Sequence, residues 1–103
     1  MSDEEKKTLQ VNLWLRVENN NKFIRMKSKV RDRIERRILS QYGMQKNRPD
    51  GWEYTLTISY STDEELESVI YDDILREADN EADYSNCFIE ADVTALDGSE
   101  RRW

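Results

Sequence analysis

Between positions 9 and 17 every second residue is aliphatic: Leu9, Val11, Leu13, Leu15 and Val17 alternate with Gln10, Asn12, Trp14 and Arg16. A strand sends successive side chains to opposite faces, whereas a helix would scatter those aliphatic residues around its circumference. The segment therefore reads as a β-strand covered on one side only, and the rest of the chain must supply the cover. Two later stretches echo it. Trp52, Tyr54, Leu56, Ile58 and Tyr60 alternate with Glu53, Thr55, Thr57 and Ser59, and Cys87, Ile89, Ala91, Val93 and Ala95 alternate with Phe88, Glu90, Asp92 and Thr94. Each presents one apolar and one polar face, so these are the expected second and third strands.

The cover comes from segments with a longer period. Phe23, Met26, Val30, Ile34, Ile38 and Gln41 recur at steps of three and four, opposite Arg25, Lys29, Asp32 and Arg36. This predicts a first helix that follows the asparagine cluster at 19–21 and ends at Tyr42-Gly43. An alternative returns residues 22–27 as a hairpin strand and starts the helix near Ser28. Pro49-Asp50-Gly51 has the composition of a turn. Thr62, with Glu65 three residues on, forms a capping box for a second helix. Leu66, Val69, Ile70, Ile74 and Ala78 are its buried stripe, and Tyr84-Ser85-Asn86 its end.

The expected order is β-α-β-α-β. Because each strand keeps a polar face, both helices belong on one side of a three-stranded sheet, a two-layer sandwich of the α/β (α+β) class. Right-handed crossovers would make the sheet parallel at least in part. The topology is related by analogy to a ferredoxin-like split βαβ arrangement lacking one strand, or taking it from the hairpin. At 103 residues the chain suits one core. The expected division is a disordered N-terminal segment at 1–8, a domain at 9–97 and a tail at 98–103.

Charged and apolar residues are equally frequent, at 37% each. That balance would leave a scattered sequence unfolded, but here the apolar residues sit in periodic blocks. One cysteine, Cys87, forms no internal disulfide, which suits a reducing compartment, and no stretch has the apolar length to span a bilayer. A cytoplasmic protein away from membranes is expected. Histidine is absent, and with it the commonest general base. Neither metal-ligand spacing nor a glycine-rich phosphate loop occurs, so the expectation is a non-enzymatic protein without metal, cofactor or catalytic residues.

Charge is unevenly spread. Residues 22–48 hold ten basic and two acidic side chains, net +8, whereas 62–83 hold one basic and ten acidic, net −9. Lys27 and Arg37 fall within the apolar sector of the first helix, and Asp73 and Glu77 within or beside that of the second. Opposite signs would then zip the helices together as inter-helix ion pairs. Trp14, Arg16 and Phe88 point to the open sheet face, the side-chain types most often decisive at protein contacts. Arg101, Arg102 and Trp103 have the same character and are candidates to fold back there. Glu53, Glu90 and Asp92 share that face, but alternation puts the last two about 7 Å apart, wide for a shared ion.

The expected function is a small module that binds another protein, a second copy of this chain among the candidates, through the open face and the charged outer helix faces. Two alternatives use other surfaces. The basic helix, through Arg25, Lys29 and Arg36 and helped by the exposed aromatics, would bind RNA or another nucleic acid. The second helix, with Glu65, Asp72, Asp79 and Asp83 outward, would act as an acidic nucleic-acid mimic. Carboxylates on the open face repel phosphate, so nucleic acid is not the favoured partner.

Overall fold

The structure is a computed structural model that describes residues 6–48 and 51–103. Its centre is β1 (Lys7–Asn19), which outruns the alternation at both ends. β3 (Glu53–Tyr60) lies antiparallel along one side, from Lys7 opposite Tyr60 to Trp14 opposite Glu53. β4 (Cys87–Ala95) lies antiparallel along the other, from Val11 opposite Ala95 to Asn19 opposite Cys87. β2 (Gln45–Lys46) adds a short antiparallel strand outside β3, giving the order β2-β3-β1-β4.

The expectation of three strands, parallel in part, is therefore corrected. Among the described residues there are four, every neighbouring pair is antiparallel, and the order differs. Two residues, a glutamine and a lysine, are too short for any alternation to register, so the stretch reads as loop. Yet β2 reverses the chain before β3 begins, and that reversal makes β3 antiparallel to β1. The chain beyond the first helix supplies the extra strand; residues 22–27 do not. Residues 1–5 lie outside the described part, but Lys7 and Thr8, expected to be frayed, already belong to β1.

The aliphatic face of β1 is sealed: Leu9, Val11, Leu13, Leu15 and Val17 are at most 3% exposed. Tyr54, Leu56 and Ile58 of β3 and Cys87 and Val93 of β4 continue that surface. Burying a side chain of leucine size contributes about 1.5–3 kcal/mol, so this row is the main source of stability. A charge at Leu13 would break it.

α1 (Lys27–Arg37) covers part of this surface with Val30 and Ile34, and a 3₁₀ turn (Leu39–Tyr42) adds Leu39. Gly43 then closes the run at φ 62°, the left-handed conformation glycine adopts without strain. The helix begins later than its periodicity suggested. Residues 20–26 form turn and coil, and Phe23 is 80% exposed instead of facing the core. The cause is local hydrogen bonding. The Asn19 carboxamide oxygen accepts from the backbone N–H of Met26 (3.1 Å) and Lys27 (3.0 Å), while the Asn21 side chain accepts from the N–H of Phe23 (2.8 Å). An asparagine at the end of β1 thus caps a helix several residues downstream and fixes where it starts.

The second helical run has three parts: α2 (Asp63–Ser68), a π-helical stretch (Val69–Arg76) and α3 (Glu77–Tyr84). The expected cap forms. Thr62 Oγ1 accepts from the N–H of Glu65 at 3.1 Å, and Glu65 Oε2 accepts from the N–H of Ser61 at 3.2 Å. The buried stripe runs Leu66, Ile70, Ile74, Ala78 and Ala82, four residues apart throughout. At 3.6 residues per turn, a step of four drifts by about 40°, and over the whole stripe an ideal α-helix would carry it off the sheet. A π-turn closes i→i+5 bonds and holds more residues, so the middle stretch winds the stripe back.

After Ala95 the chain turns and returns along the outer edge of β4. The N–H and C=O of Val93 bond with those of Trp103, Ala95 N–H donates to the Arg101 carbonyl at 2.9 Å, and Thr94 stands opposite Arg102. Trp103 packs against the core. The tail therefore extends the sheet and does not fold across its open face: Arg101 and Trp103 lie on the helix side, correcting their expected place, and Arg102, opposite Thr94, is on the open side at the edge.

Candidate interaction face

With both helical runs on the aliphatic side, the other face of the sheet carries no helix among the described residues. Strand alternation delivers to it Trp14, Arg16 and Glu18 from β1, Glu53 from β3, and Phe88, Glu90 and Asp92 from β4. Register then fixes the neighbours. Trp14 stands between Glu53 on one side and Asp92 on the other; Arg16 is opposite Glu90, and Glu18 is opposite Phe88. Trp14, Arg16 and Phe88 thus belong to one contiguous patch. Phe88 is 40% exposed, and Trp14 is half-buried, its rim shielded by its neighbours.

Electrostatically the patch is acidic. Arg16 is the cation within it, Arg102 opposite Thr94 flanks it at the edge, and the Arg16 guanidinium lies 3.4 Å from Glu18, whose other oxygen is 3.5 Å from Lys27. Glu53, Glu90 and Asp92 have no ion-pair partner among the described residues. Where β3 ends and β1 runs on, the step in the sheet leaves an open cleft of about 360 Å³ lined by Trp14, Arg48, Gly51, Trp52 and Glu53. The turn expected at Pro49-Asp50-Gly51 lies in part outside the described residues, although the Gly51 N–H does donate to the Arg48 carbonyl at 3.1 Å.

The other candidate residues are placed differently. Lys27 reaches back to Glu18 at the end of β1, away from the second helical run. Arg37 does pair across the helices, but with Glu81, at 3.8 Å, and Arg33 approaches the same carboxylate at 3.4 Å. Asp73 and Glu77 form no ion pair among the described residues. They line an open cleft with Arg37, Tyr42 and Glu81, where burial first and Asp73 second raise the Tyr42 hydroxyl pKa. A wheel drawn at a uniform 100° misassigns these acids because the π-helical stretch resets the angle before Glu81. Arg25 lies in the coil before α1, while Lys29 and Arg36 are exposed on it, Arg36 held 2.8 Å from Asp32. The three do not share one helical face.

A polar network not expected from the sequence links α1 to the sheet. Tyr54 is fully buried, and its hydroxyl accepts from Arg31 Nε at 2.8 Å and donates to Glu35 Oε2 at 2.6 Å. Lys46 of β2 reaches the same carboxylate oxygen at 3.1 Å. Arg31 also donates to the Gly51 carbonyl and lies 5.0 Å from the centre of the Trp52 ring. Burial, followed by the bond to Glu35, pushes the Tyr54 pKa up to about 12. The signal was present: a tyrosine on a core-facing strand row needs a hydrogen-bond partner, and Arg31 and Glu35 sit one turn apart on the neighbouring helix.

No group of three or more metal-binding side chains occurs among the described residues, and no helix there is long and apolar enough to cross a membrane. Burial pushes the Cys87 thiol pKa up, against a smaller opposing pull from Arg33, so the nucleophilic thiolate is disfavoured. No family model, curated protein or solved structure matches this chain. The reading of its function accordingly rests on its own surfaces.

Proposed function

We propose that the protein is a non-enzymatic binding module of ferredoxin-like arrangement that captures a protein partner through the open face of its sheet. The observation that carries this reading is Trp14, held between Glu53 and Asp92 on a sheet face without a helix among the described residues, with Arg16 two residues along the same strand and Phe88 farther along the face, opposite Glu18. A rigid aromatic on a strand loses little conformational freedom on binding, and such anchors surrounded by polar groups dominate interface energetics. The basic-helix reading is weaker, because Arg25 lies in the coil before the helix, Arg33 is drawn to Glu81 and Arg36 is held by Asp32.

The test is the solution mass of wild type, Trp14→Ala and Phe88→Ala across a dilution series by light scattering, together with capture of cellular partners by each. Loss of self-association or capture by roughly 30-fold in Trp14→Ala, with an unchanged fold by circular dichroism, is the expected result. If both variants associate and capture as the wild type does, the open face is not the binding surface.

A further inference from the structure

We infer that the outer edge of β4 at Ile89 and Ala91 receives an extended, basic peptide segment as an added antiparallel strand, with arginine or lysine side chains set beside Glu90 and Asp92.

Backbone parity comes first. Gln10 on β1 accepts from the N–H of Leu96, and Asn20 donates to the carbonyl of Asn86, so the even-numbered residues of β4 direct their backbone groups toward β1. The odd-numbered residues direct theirs outward. Val93 and Ala95 show it, exchanging hydrogen bonds with Trp103 and Arg101 of the returning tail. This edge therefore already takes one added strand. The next outward positions, Ala91 and Ile89, pair with no strand among the described residues, although they continue the same ladder.

The edge carries neither lysine nor proline: β4 reads Cys-Phe-Ile-Glu-Ala-Asp-Val-Thr-Ala, and its protecting charges are the carboxylates Glu90 and Asp92, which oppose an acidic or identical strand but not a basic one. Ile89 and Ala91 are half-buried against the core on the helix side, leaving apolar surface for every second side chain of an incoming segment. On the open side the segment would meet Phe88, Glu90 and Asp92. The other free edge, at Thr57 and Ser59 of β3, offers neither apolar surface nor charge.

Charge selects the occupant. Arg16 stands across from Glu90 but is turned to Glu18, so Glu90 and Asp92 keep their charge for a partner. Pairing with β4 of a second copy would bring these carboxylates against their own counterparts, and like charges on facing positions destabilise a sheet. A segment with cations at alternate positions reverses that sign, and an arginine opposite Asp92 would also reach the ring of Trp14 beside it. Main-chain bonds to the edge then provide affinity and the alternate side chains specificity.

The side-chain part of this inference rests on the open-face reading; the backbone part does not. The experiment titrates the peptide acetyl-Arg-Val-Arg-Val-Thr-amide into the isotope-labelled protein, following amide shifts and hydrogen exchange by NMR. The register places its arginines opposite Asp92 and Glu90 and its valines opposite Ala91 and Ile89. Slowed exchange of the Ile89 and Ala91 amides is expected, with about tenfold weaker binding to Glu90→Gln/Asp92→Asn and a similar loss when both valines are N-methylated. Equal affinity of the N-methylated peptide, or unprotected Ile89 and Ala91 amides at saturation, overturns the inference. So does equal binding of the peptide with glutamate in place of arginine. If Trp14→Ala loses cellular capture while those amides stay unprotected, the open-face reading survives and the edge site falls. If the peptide protects them in both proteins and Trp14→Ala captures normally, the edge site survives and the open-face reading falls.

Discussion

Tyr54 is fully buried on the core face of β3, yet its hydroxyl is bonded on both sides, by Arg31 and by Glu35. Removing the oxygen leaves the Arg31–Glu35 ion pair, 3.4 Å apart, but takes one hydrogen-bond partner from each. Tyr54→Phe should therefore lower stability by about 1–2 kcal/mol at neutral pH, measured by urea denaturation. The same residue sets an alkaline limit. Its folded pKa of about 12 lies above the ordinary value of 10.0, so the folded state holds the proton more tightly than the unfolded chain does. The corresponding stability is complete below pH 10 and is lost as the pH rises from there through 12, roughly 2–3 kcal/mol in all. Denaturation across that window should show this loss in the wild type and lack it in Tyr54→Phe. Equal slopes in the two proteins would mean the hydroxyl is not preferentially protonated in the fold.

Among the elements, the strands were legible and the helix limits were not. Alternation is a local property: nine residues of β1 and the whole of β4 carry their face assignment in their own side chains. The start of α1 depends instead on Asn19, whose carboxamide reaches the backbone N–H groups of Met26 and Lys27 only once the intervening coil has folded back. Asn19→Ala removes an acceptor from that helix end and should cost about 1 kcal/mol in urea denaturation, with fraying confined by hydrogen exchange to the first turn of α1. An unchanged stability would mean the cap is replaced by solvent. The π-helical stretch carried a signal, the strict step of four from Leu66 to Ala82, which fits no ideal α-helix facing a flat sheet. Within Trp14, Arg16 and Phe88 the face was readable from parity alone. Their neighbours Glu53, Glu90 and Asp92 acquired a meaning only through register.

Across the whole molecule, a basic segment of net +8 and an acidic one of net −9 fold against each other. Their direct contact among the described residues is narrow, Glu81 receiving both Arg33 and Arg37. Glu81→Gln should lower stability by about 1 kcal/mol at low ionic strength and by less in high salt, where partly exposed pairs are screened. A salt-independent loss would assign the effect to packing. By itself the chain determined which strand residues face inward, where the second helix is capped and which side of the sheet stays bare, because alternation, capping and step size act over a few neighbouring residues. The tertiary structure alone decided strand order, direction, the partners of each charge and the tail's place on the edge of β4. Those depend on contacts between residues far apart in the chain, and a two-residue β2 or one capping asparagine redirects them with too few side chains to leave a pattern.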